Sequence, residues 1–202
     1  TPVHLGIPGR HNVMNALAAA TVAMRYGMAP ETVARILASQ HTISPHRMAL
    51  STVNREGTSF TLIDDSFNAN PDSMKAGLNG LKAWNSNDGK EPFRVALLGA
   101  MLELGADETA LHTSIGTYAD ELGIDAIIAV GSAQDQHLDA LAQALADGAR
   151  QSQSASVDCV HDIDAAEQLV IDLARNHPDA VVLLKGSHAS GLSALAERWA
   201  KN

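Results

Sequence analysis

Two carboxylates, a hydroxyl, an aromatic ring and two amides stand together in the stretch DDSFNANPDSM, residues 64–74. This stretch lies between an apolar, strand-like run and a helix-like run. A carboxylate such as Asp64 or Asp65 can accept hydrogen bonds from the hydroxyls of a ribose. The same residue types close turns and cap helices, so a purely local role for the two aspartates and for Ser73 remains an alternative. The stretch therefore predicts either one side of a nucleotide site or a capped turn at a strand end.

Three other apolar runs also end in polar residues or glycines: Gly99 with Glu103, Gly131 with Ser132, and Lys185 with Gly186 and Ser187. The carboxyl ends of parallel strands share one edge of a sheet, and open α/β sheets bind ligands beyond that edge. There Lys185 can meet a carboxylate or phosphate, and Gly186 allows the backbone to approach a ligand closely. A helix entry is the alternative for residues 185–187, and a plain turn is the alternative at Gly131. Solvated surface positions are the alternative for Glu103 and His112.

Several familiar binding and catalytic patterns are absent from the sequence. It contains no GxGxxG, GxxxxGK[ST] or GxSxG, no structural zinc spacing, and no apolar run of membrane-span length. A net charge of −9 argues against non-specific nucleic-acid binding, which depends on clustered lysine and arginine. The single cysteine, Cys159, excludes an internal disulfide and favours a reducing, cytoplasmic compartment. We expect Cys159 to be a small core residue.

Strand-like and helix-like runs alternate from residue 49 onward. We expect a β-hairpin around Glu56 and Gly57, then strands at 93–99, 125–131, 156–160 and 180–186, and helices at 72–84, 107–122, 135–149, 163–176 and 190–200. Three of these strands are continuous apolar runs, which indicates a sheet covered on both faces. The alternation predicts an α/β fold with a mostly parallel, doubly wound sheet.

A different pattern precedes residue 44. Residues 12–27 form an Ala-rich, helix-like run that ends at Gly27, and a second helix is expected to begin at Pro30. Two helices alone cannot bury so apolar a surface, so we expect residues 1–43 to be the helical tail of an incomplete domain. Residues 44–48 form the predicted linker, and residues 49–202 form the predicted α/β domain.

Five stretches match one protein family in order and spacing: IPGRHNVMNALAAATVA (7–23), SPHRM (44–48), LIDDSFNANPDSM (62–74), LLGAMLELG (97–105) followed by His112, and LLKGS (183–187). The third and fourth stretches are the most specific. By these motifs the chain resembles the Mur ligases, and among them the enzymes that add D-alanyl-D-alanine to UDP-N-acetylmuramoyl-tripeptide. The resemblance covers essentially the whole chain, but only the C-terminal part of such an enzyme.

The resemblance implies a three-domain ligase with a central ATPase domain and a Rossmann-like C-terminal domain. This chain would be that C-terminal domain, preceded by a helical fragment of the central domain. In such enzymes ATP and Mg²⁺ serve to activate a substrate carboxylate as an acyl phosphate, which the amine of the dipeptide attacks. The phosphate loop and the Mg²⁺ ligands are expected in the missing part of the central domain. The chain alone is therefore expected to lack ligase activity.

The resemblance also implies roles for particular residues. Asn12 and Asn15 are expected on the adenine side of the ATP site. Arg47, in the linker, is expected to reach the ATP phosphates and to act in catalysis, while Asp65 holds the ribose hydroxyls. Four further residues are expected to face the acceptor peptide and the dipeptide: Asn68, Asn70, Lys185 and Ser187.

Two positions depart from the family's pattern. Ala100 stands where an aspartate usually precedes LELG, and His188 stands where a basic residue often follows KGS. Both changes remove charge near the expected cleft. Two other functions remain as alternatives. One is a folylpolyglutamate synthetase-like ligase, which shares the three-domain plan, and the other is a non-catalytic ligand-binding or interaction module.

Overall fold

The computed structural model describes residues 3–5, 10–40, 46–85, 91–151 and 155–201. The chain divides into two compact units, Thr1–Arg47 and Met48–Asn202, and the division falls inside the predicted linker. Two of the motifs that carry the family resemblance lie partly outside the described residues, at positions 7–9 and 44–45.

The described residues of the first unit form two helices, α1 (Arg10–Arg25) and α2 (Pro30–Ser39). Gly27 follows α1 with a φ of 89°, a left-handed conformation that suits glycine at the end of a helix. Pro30 occupies the first turn of α2, where its missing N–H leaves no helical hydrogen bond unmade. Both helices thus form where the sequence predicted them. Large apolar side chains of this unit are exposed: Val13, Met14, Leu17, Val22, Met24, Tyr26, Met28 and Ile36.

The second unit is built on one six-stranded sheet. The strands are β1 (Ala49–Arg55), β2 (Thr58–Asp65), β3 (Arg94–Gly99), β4 (Ala126–Val130), β5 (Ser156–Val160) and β6 (Val181–Lys185). The helices are α3 (Pro71–Lys82), α4 (Glu108–Glu121), α5 (Gln136–Ala149), α6 (Ile163–Asn176) and α7 (Leu192–Trp199). Short 3₁₀ turns, Gly105–Asp107 and His188–Ser190, precede α4 and α7.

The strand order is β1-β2-β6-β3-β4-β5, and every neighbouring pair is parallel except β1 with β2. β1 and β2 form the predicted hairpin, in which Arg55 pairs with Thr58. Its two turn residues, Glu56 and Gly57, both have positive φ, as a two-residue turn that follows the strand twist requires. The predicted mostly parallel, doubly wound α/β fold is confirmed.

Alternate residues of each central strand face opposite sides of the sheet, so two hydrophobic cores form. On one face, Leu98 of β3 and its neighbours pack against α3, α4 and α5. On the other face, Leu97 and its neighbours pack against α6 and α7. β3, β4 and β6 are completely buried, which explains their continuous apolar sequences.

Two elements differ from the sequence-based expectations. The last helix does not run from residue 190, because Gly191, with a φ of 76°, separates the 3₁₀ turn from α7. Cys159 packs against the first core but is only partly buried. The reason is that β5 is an edge strand with a neighbour on one side only.

A buried carboxylate joins β1 to the two helices on the second face. The carboxylate of Glu167 in α6 forms ion pairs with Nε of Arg55 at 3.1 Å and with Nη1 of Arg198 at 2.6 Å. The indole N–H of Trp199 donates to the same carboxylate at 3.0 Å. Because all three partners are donors, this nearly buried charge is fully compensated.

α4 and α5 approach each other at two glycines. A methyl group added at Gly116 would lie 1.9 Å from the carbonyl oxygen of Leu145, and one added at Gly148 would lie 2.0 Å from that of Thr113. Both clashes are with backbone atoms of the facing helix, so rotation of a side chain cannot relieve them. The contact between these helices therefore requires glycine at both positions.

We predict that Gly116→Ala destabilises the second unit by about 2–3 kcal/mol, because the two helices must separate. Gly80→Ala is the matched control, since its new methyl group would meet only the flexible end of Met48 at 3.3 Å. The control should be neutral, or stabilising by up to about 1 kcal/mol through helix propensity. Urea unfolding of both variants measures the difference. Equal unfolding midpoints would contradict the proposed helix contact.

Candidate functional site

The carboxyl ends of β2, β6 and β3 lie side by side at one edge of the sheet. The strand register places Asp65 beside Lys185, and Lys185 beside Leu98. The segments that follow these strands therefore meet, as the sequence predicted for the ligand-binding edge. The carboxyl end of β4, which carries Ser132, is next along the same edge.

The neighbouring residues Asp64 and Asp65 have different hydrogen-bond partners. Asp64 is buried, and its Oδ1 accepts hydrogen bonds from the Ser66 hydroxyl at 2.6 Å and from the Ser66 N–H at 3.2 Å. It therefore closes the turn after β2, which is the local role that the sequence left open. Asp65 is partly exposed, with Oδ2 2.6 Å from the ammonium group of Lys185 and Oδ1 3.3 Å from the N–H of Met48.

Lys185 is almost completely buried at the end of β6, with an exposed fraction of 1%. Besides its ion pair with Asp65, its ammonium group donates to the carbonyl oxygens of Asp65 at 3.5 Å and of Asn68 at 3.2 Å. A lysine has three N–H donors, so these contacts use all of them. The predicted contact of Lys185 with a substrate stays a prediction.

Asn68 and Asn70 are exposed between β2 and α3. Asn70 is the N-cap of α3: its Oδ1 accepts from the Ser73 N–H at 2.8 Å, and the Ser73 hydroxyl accepts from the Asn70 N–H at 3.0 Å. This capping box uses the side-chain oxygen of Asn70. The Oδ1 of Asn68 accepts from the Ala69 N–H at 2.8 Å. Their predicted substrate contacts stay predictions.

Ser187 is nearly buried just beyond β6, and its N–H donates to the carbonyl oxygen of Ala100 at 2.9 Å. Within the described part of the chain its hydroxyl has no hydrogen-bond partner. A buried hydroxyl without a partner is costly, so a ligand that bonds it would recover that cost. The predicted substrate contact of Ser187 stays a prediction.

Gly186 has a packing role in addition to the close approach to a ligand that the sequence predicted, and that approach stays a prediction. A methyl group there would lie 2.7 Å from the Ser190 hydroxyl and 3.0 Å from Cα of Gly99. The close approach is thus to the neighbouring strand end and to the turn before α7. Gly186 is required for packing among the strand ends, whether or not a ligand is bound.

The two departures from the family pattern have different surroundings. Ala100 is buried and packs in a small apolar cluster with Leu138 and Leu141 of α5. A carboxylate at this position would be placed beside leucines. His188 is exposed, and its Nδ1 lies 3.0 Å from the hydroxyl of Ser193. Neither Ala100 nor His188 forms an ion pair at the sheet edge among the described residues.

His112 fastens the LELG segment to α4. Its Nε2 accepts a hydrogen bond from the Met101 N–H at 2.8 Å, and its Nδ1 lies 2.7 Å from the carbonyl oxygen of Glu108. A carbonyl can only accept, so Nδ1 carries the proton and the ring is neutral. Burial lowers the pKa of His112 below its ordinary value, although the Glu108 carbonyl and carboxylate oppose the shift. His112 is a buried structural group, so the alternative of a solvated surface position is wrong.

The predicted adenine-side residues belong to the first unit. Asn12 is buried on α1, and Asn15 lies one turn later on the same helix. The side-chain N–H of Asn15 donates to the Oδ1 of Asn12 at 3.4 Å. Arg47 is exposed between two residues with positive φ, His46 and Met48. The predicted roles of the two asparagines and of Arg47 stay predictions.

Within the described residues, no group of three or more histidine, cysteine, aspartate or glutamate side chains is arranged to hold a metal ion. The same residues include no helix that is long and apolar enough to cross a membrane. Asp65 offers partly exposed carboxylate oxygens that can accept hydrogen bonds from hydroxyl groups, and its predicted contact with ribose stays a prediction.

Residues 46–188 match the family model described as Mur ligase, glutamate ligase domain. The match covers more than half of the chain and includes β1 to β6 together with the whole carboxyl edge. The chain belongs to the Mur ligase family. This confirms the family resemblance that the motifs predicted.

Named relatives agree with this family. The Mycobacterium tuberculosis protein named UDP-N-acetylmuramoyl-tripeptide--D-alanyl-D-alanine ligase is 39% identical over 201 residues, which cover 96% of this chain and 39% of that protein. The Escherichia coli protein of the same name is 35% identical over 129 residues, 64% of this chain and 26% of that protein. This Mur ligase chain therefore spans about two-fifths of the length of the Mycobacterium tuberculosis relative.

A solved structure shows the same fold over nearly all of the chain. A crystal structure of MurF from Acinetobacter baumannii superimposes with a TM-score of 0.78 and is 27% identical. The superposition covers 99% of this chain and 40% of that one. Both units of this Mur ligase chain thus have counterparts in that protein.

Two contributors to the site were missed from the sequence. One is Met48, whose backbone N–H binds Asp65. A backbone donor leaves no signal in the residue type. The other is Gly77 in α3, which lies against the stem of Lys185. Its only signal was a glycine inside a predicted helix, where alanine would be more stable.

We predict that His112 makes the folded protein less stable as the pH falls below about 6.5. Its folded pKa is lowered, so below the ordinary value near 6.5 the unfolded chain binds a proton that the folded chain does not. The contribution is at most about 1.4 kcal/mol per pH unit. Urea unfolding of the natural protein and of His112→Gln at several pH values measures it, and the variant should have a flatter profile.

His4→Gln is the control, because it removes an exposed histidine and leaves His112 in place. It should keep the natural pH profile. The lowered pKa would be contradicted if His112→Gln and His4→Gln lost stability equally as the pH falls.

Proposed function

We propose that this chain is the C-terminal part of an ATP-dependent ligase that joins D-alanyl-D-alanine to UDP-N-acetylmuramoyl-tripeptide in peptidoglycan precursor synthesis. The observation that carries the proposal is the 39% identity, over 96% of the chain, to a relative of that name. The sheet edge supports it, since a partly exposed carboxylate and a nearly buried hydroxyl without a partner among the described residues stand there, at Asp65 and Ser187.

Each predicted site residue has a place in this proposal. Asp65 accepts hydrogen bonds from the ribose hydroxyls of ATP, and Arg47 neutralises phosphate charge. Asn12 and Asn15 serve the adenine side. Asn68, Asn70 and Ser187 are proposed to face the acceptor peptide and the dipeptide, and Lys185 lies beside them at the same strand ends.

ATP supplies the phosphoryl group that activates the acceptor carboxylate, and Mg²⁺ neutralises charge on the phosphates. We propose that the Mg²⁺ ligands and the phosphate loop belong to a central domain in the same protein, which works with this chain in the cytoplasm. Catalysis of this kind is mostly positioning and charge neutralisation. A domain that holds only the ribose and acceptor sides can therefore contribute affinity and orientation but not the complete reaction.

The first prediction concerns activity. The full-length protein that carries this chain should form UDP-N-acetylmuramoyl-pentapeptide from the tripeptide, D-alanyl-D-alanine, ATP and Mg²⁺, as detected by mass spectrometry. The isolated 202-residue chain should form none, because it lacks the phosphate-binding half of the site. Reactions without dipeptide and without ATP are the controls.

Other outcomes of the same assay identify the alternatives. Ligation of glutamate to a folate, with no pentapeptide, would favour a folylpolyglutamate synthetase-like enzyme. Absence of any ATP-dependent product from the full-length protein would favour a non-catalytic binding module. Phosphate release by the isolated chain that depends on both tripeptide and dipeptide would contradict the predicted inactivity of the fragment.

The second prediction concerns Arg47. In the full-length protein, Arg47→Ala should lower kcat about a hundredfold, because one positive charge near the transferred phosphoryl group is lost. Arg175→Ala is the matched control: Arg175 is half exposed at the end of α6 and pairs with Asp172 and Glu56. Its substitution should leave kcat unchanged. Similar losses in the two variants would argue against a specific role for Arg47.

A further inference from the structure

We propose that Lys185 is a positioning residue that acts through Asp65, and that it does not contact the substrate. The inference rests on the proposed function for its ligand, a ribonucleoside triphosphate. In this proposal Lys185 recognises the ligand only indirectly. Its buried ammonium group holds the carboxylate of Asp65 in the orientation that binds the ribose.

The burial of Lys185 is the first argument. Its exposed fraction is 1%, whereas the side chain of Asp65 is 18% exposed. The three donors of the ammonium group are already used by Oδ2 of Asp65 and by the carbonyl oxygens of Asp65 and Asn68. A phosphate or carboxylate of a substrate would have to displace one of these acceptors and enter a packed interior.

The free acceptor capacity of Asp65 is the second argument. One oxygen of its carboxylate faces Lys185 and the other accepts from the N–H of Met48. An ionised carboxylate has about four lone-pair sites, so about two remain for the hydroxyls of a ribose. With both oxygens already held, the carboxylate cannot rotate freely, and the remaining sites have a fixed direction before the ligand arrives.

The path of the lysine side chain is the third argument. A methyl group added at Gly77 of α3 would lie 2.8 Å from Cδ of Lys185 and 3.5 Å from its Cε. The stem of the lysine therefore runs directly over this glycine. Glycine in the interior of a helix costs about 1 kcal/mol relative to alanine, so its presence here is explained by the space that Lys185 requires.

The test separates ribose recognition from other contributions to binding. Calorimetry with the full-length protein measures the Kd of ATP and of 2′,3′-dideoxy-ATP, which lacks both ribose hydroxyls. Lys185→Met keeps an unbranched side chain over Gly77 but removes the charge. We expect Lys185→Met to raise the Kd of ATP about tenfold and the Kd of dideoxy-ATP less than twofold. Asp65→Asn should do the same, and the double variant should be no weaker than Asp65→Asn alone.

A further variant, Gly77→Ala, provides the test if Lys185→Met does not fold. It keeps the ammonium group but displaces its stem, so it should reduce the preference for ATP over dideoxy-ATP in a protein that urea unfolding shows to be folded. Lys75→Met is the matched control, because Lys75 is on the same helix and its ammonium group lies 5.5 Å from the ring centre of Tyr118. It should leave both Kd values unchanged.

Three results would overturn the inference. If Lys185→Met and Gly77→Ala raised the Kd of ATP and of dideoxy-ATP equally, the variants would have damaged the binding site in general and not ribose recognition. A further loss in the double variant, beyond Asp65→Asn alone, would indicate a contact independent of Asp65. If Lys185→Met raised the KM for tripeptide or dipeptide and left the Kd of ATP unchanged, Lys185 would contact the substrate directly.

The proposed function can fail separately. If the full-length protein binds ATP with the expected ribose preference but forms no pentapeptide, the positioning role stands and the ligase assignment is wrong. If it ligates and Lys185→Met binds both nucleotides as the natural protein does, the ligase assignment stands and the positioning role is wrong. Absence of ATP binding by the natural protein would overturn both.

Discussion

The carboxyl edge of the sheet depends on one buried ion pair, between Lys185 and Asp65. An ammonium group that has lost its water costs several kcal/mol unless acceptors replace that water. At Lys185 the acceptors come from the end of β2 and from the loop that follows it. The need to satisfy one charge therefore fixes the end of β2, the loop and, through the lysine stem, the adjacent face of α3.

Each neighbouring strand end is held by its own hydrogen bonds. Asp64 closes the turn after β2 through Ser66, and the N–H of Ser187 bonds the segment after β3 to the segment after β6. His112 holds the N–H of Met101 from the side of α4. These bonds involve buried groups, so the edge is shaped by the protein itself. A site formed in this way loses little conformational entropy when it binds a ligand.

The sequence predicted the fold well because its strongest signals are local and physical. Continuous apolar runs marked the buried strands, and the turn at Glu56 and Gly57 marked the hairpin. The errors occurred where a neighbour decides the outcome. Cys159 lies in a predicted strand, but only the strand order reveals that this strand is at the edge. The last helix was predicted to begin too early because Gly191, whose positive φ separates the 3₁₀ turn from α7, was not used as the signal for the start of the helix.

The site was less predictable than the fold for a similar reason. The sequence placed Lys185 and Asp65 at one edge, but charge and position alone do not tell whether a lysine faces a ligand or a protein carboxylate. The N–H of Met48 could not be found at all, since every residue except proline offers the same donor. The choice between Asp64 and Asp65 likewise depended on which carboxylate turned inward, and the alternation of a strand at its last residues leaves that open.

The direction of the first strand decides where the polypeptide reaches the sheet. β1 is antiparallel to β2, with Ala49 beside Asp64, so its first residue lies at the carboxyl edge and its last at the opposite edge. A parallel first strand of the same length would start about 20 Å away. The hairpin thus places Met48 at the same edge as Asp65. An inserted or deleted residue in β1 would shift Met48 and break the hydrogen bond between its N–H and Asp65.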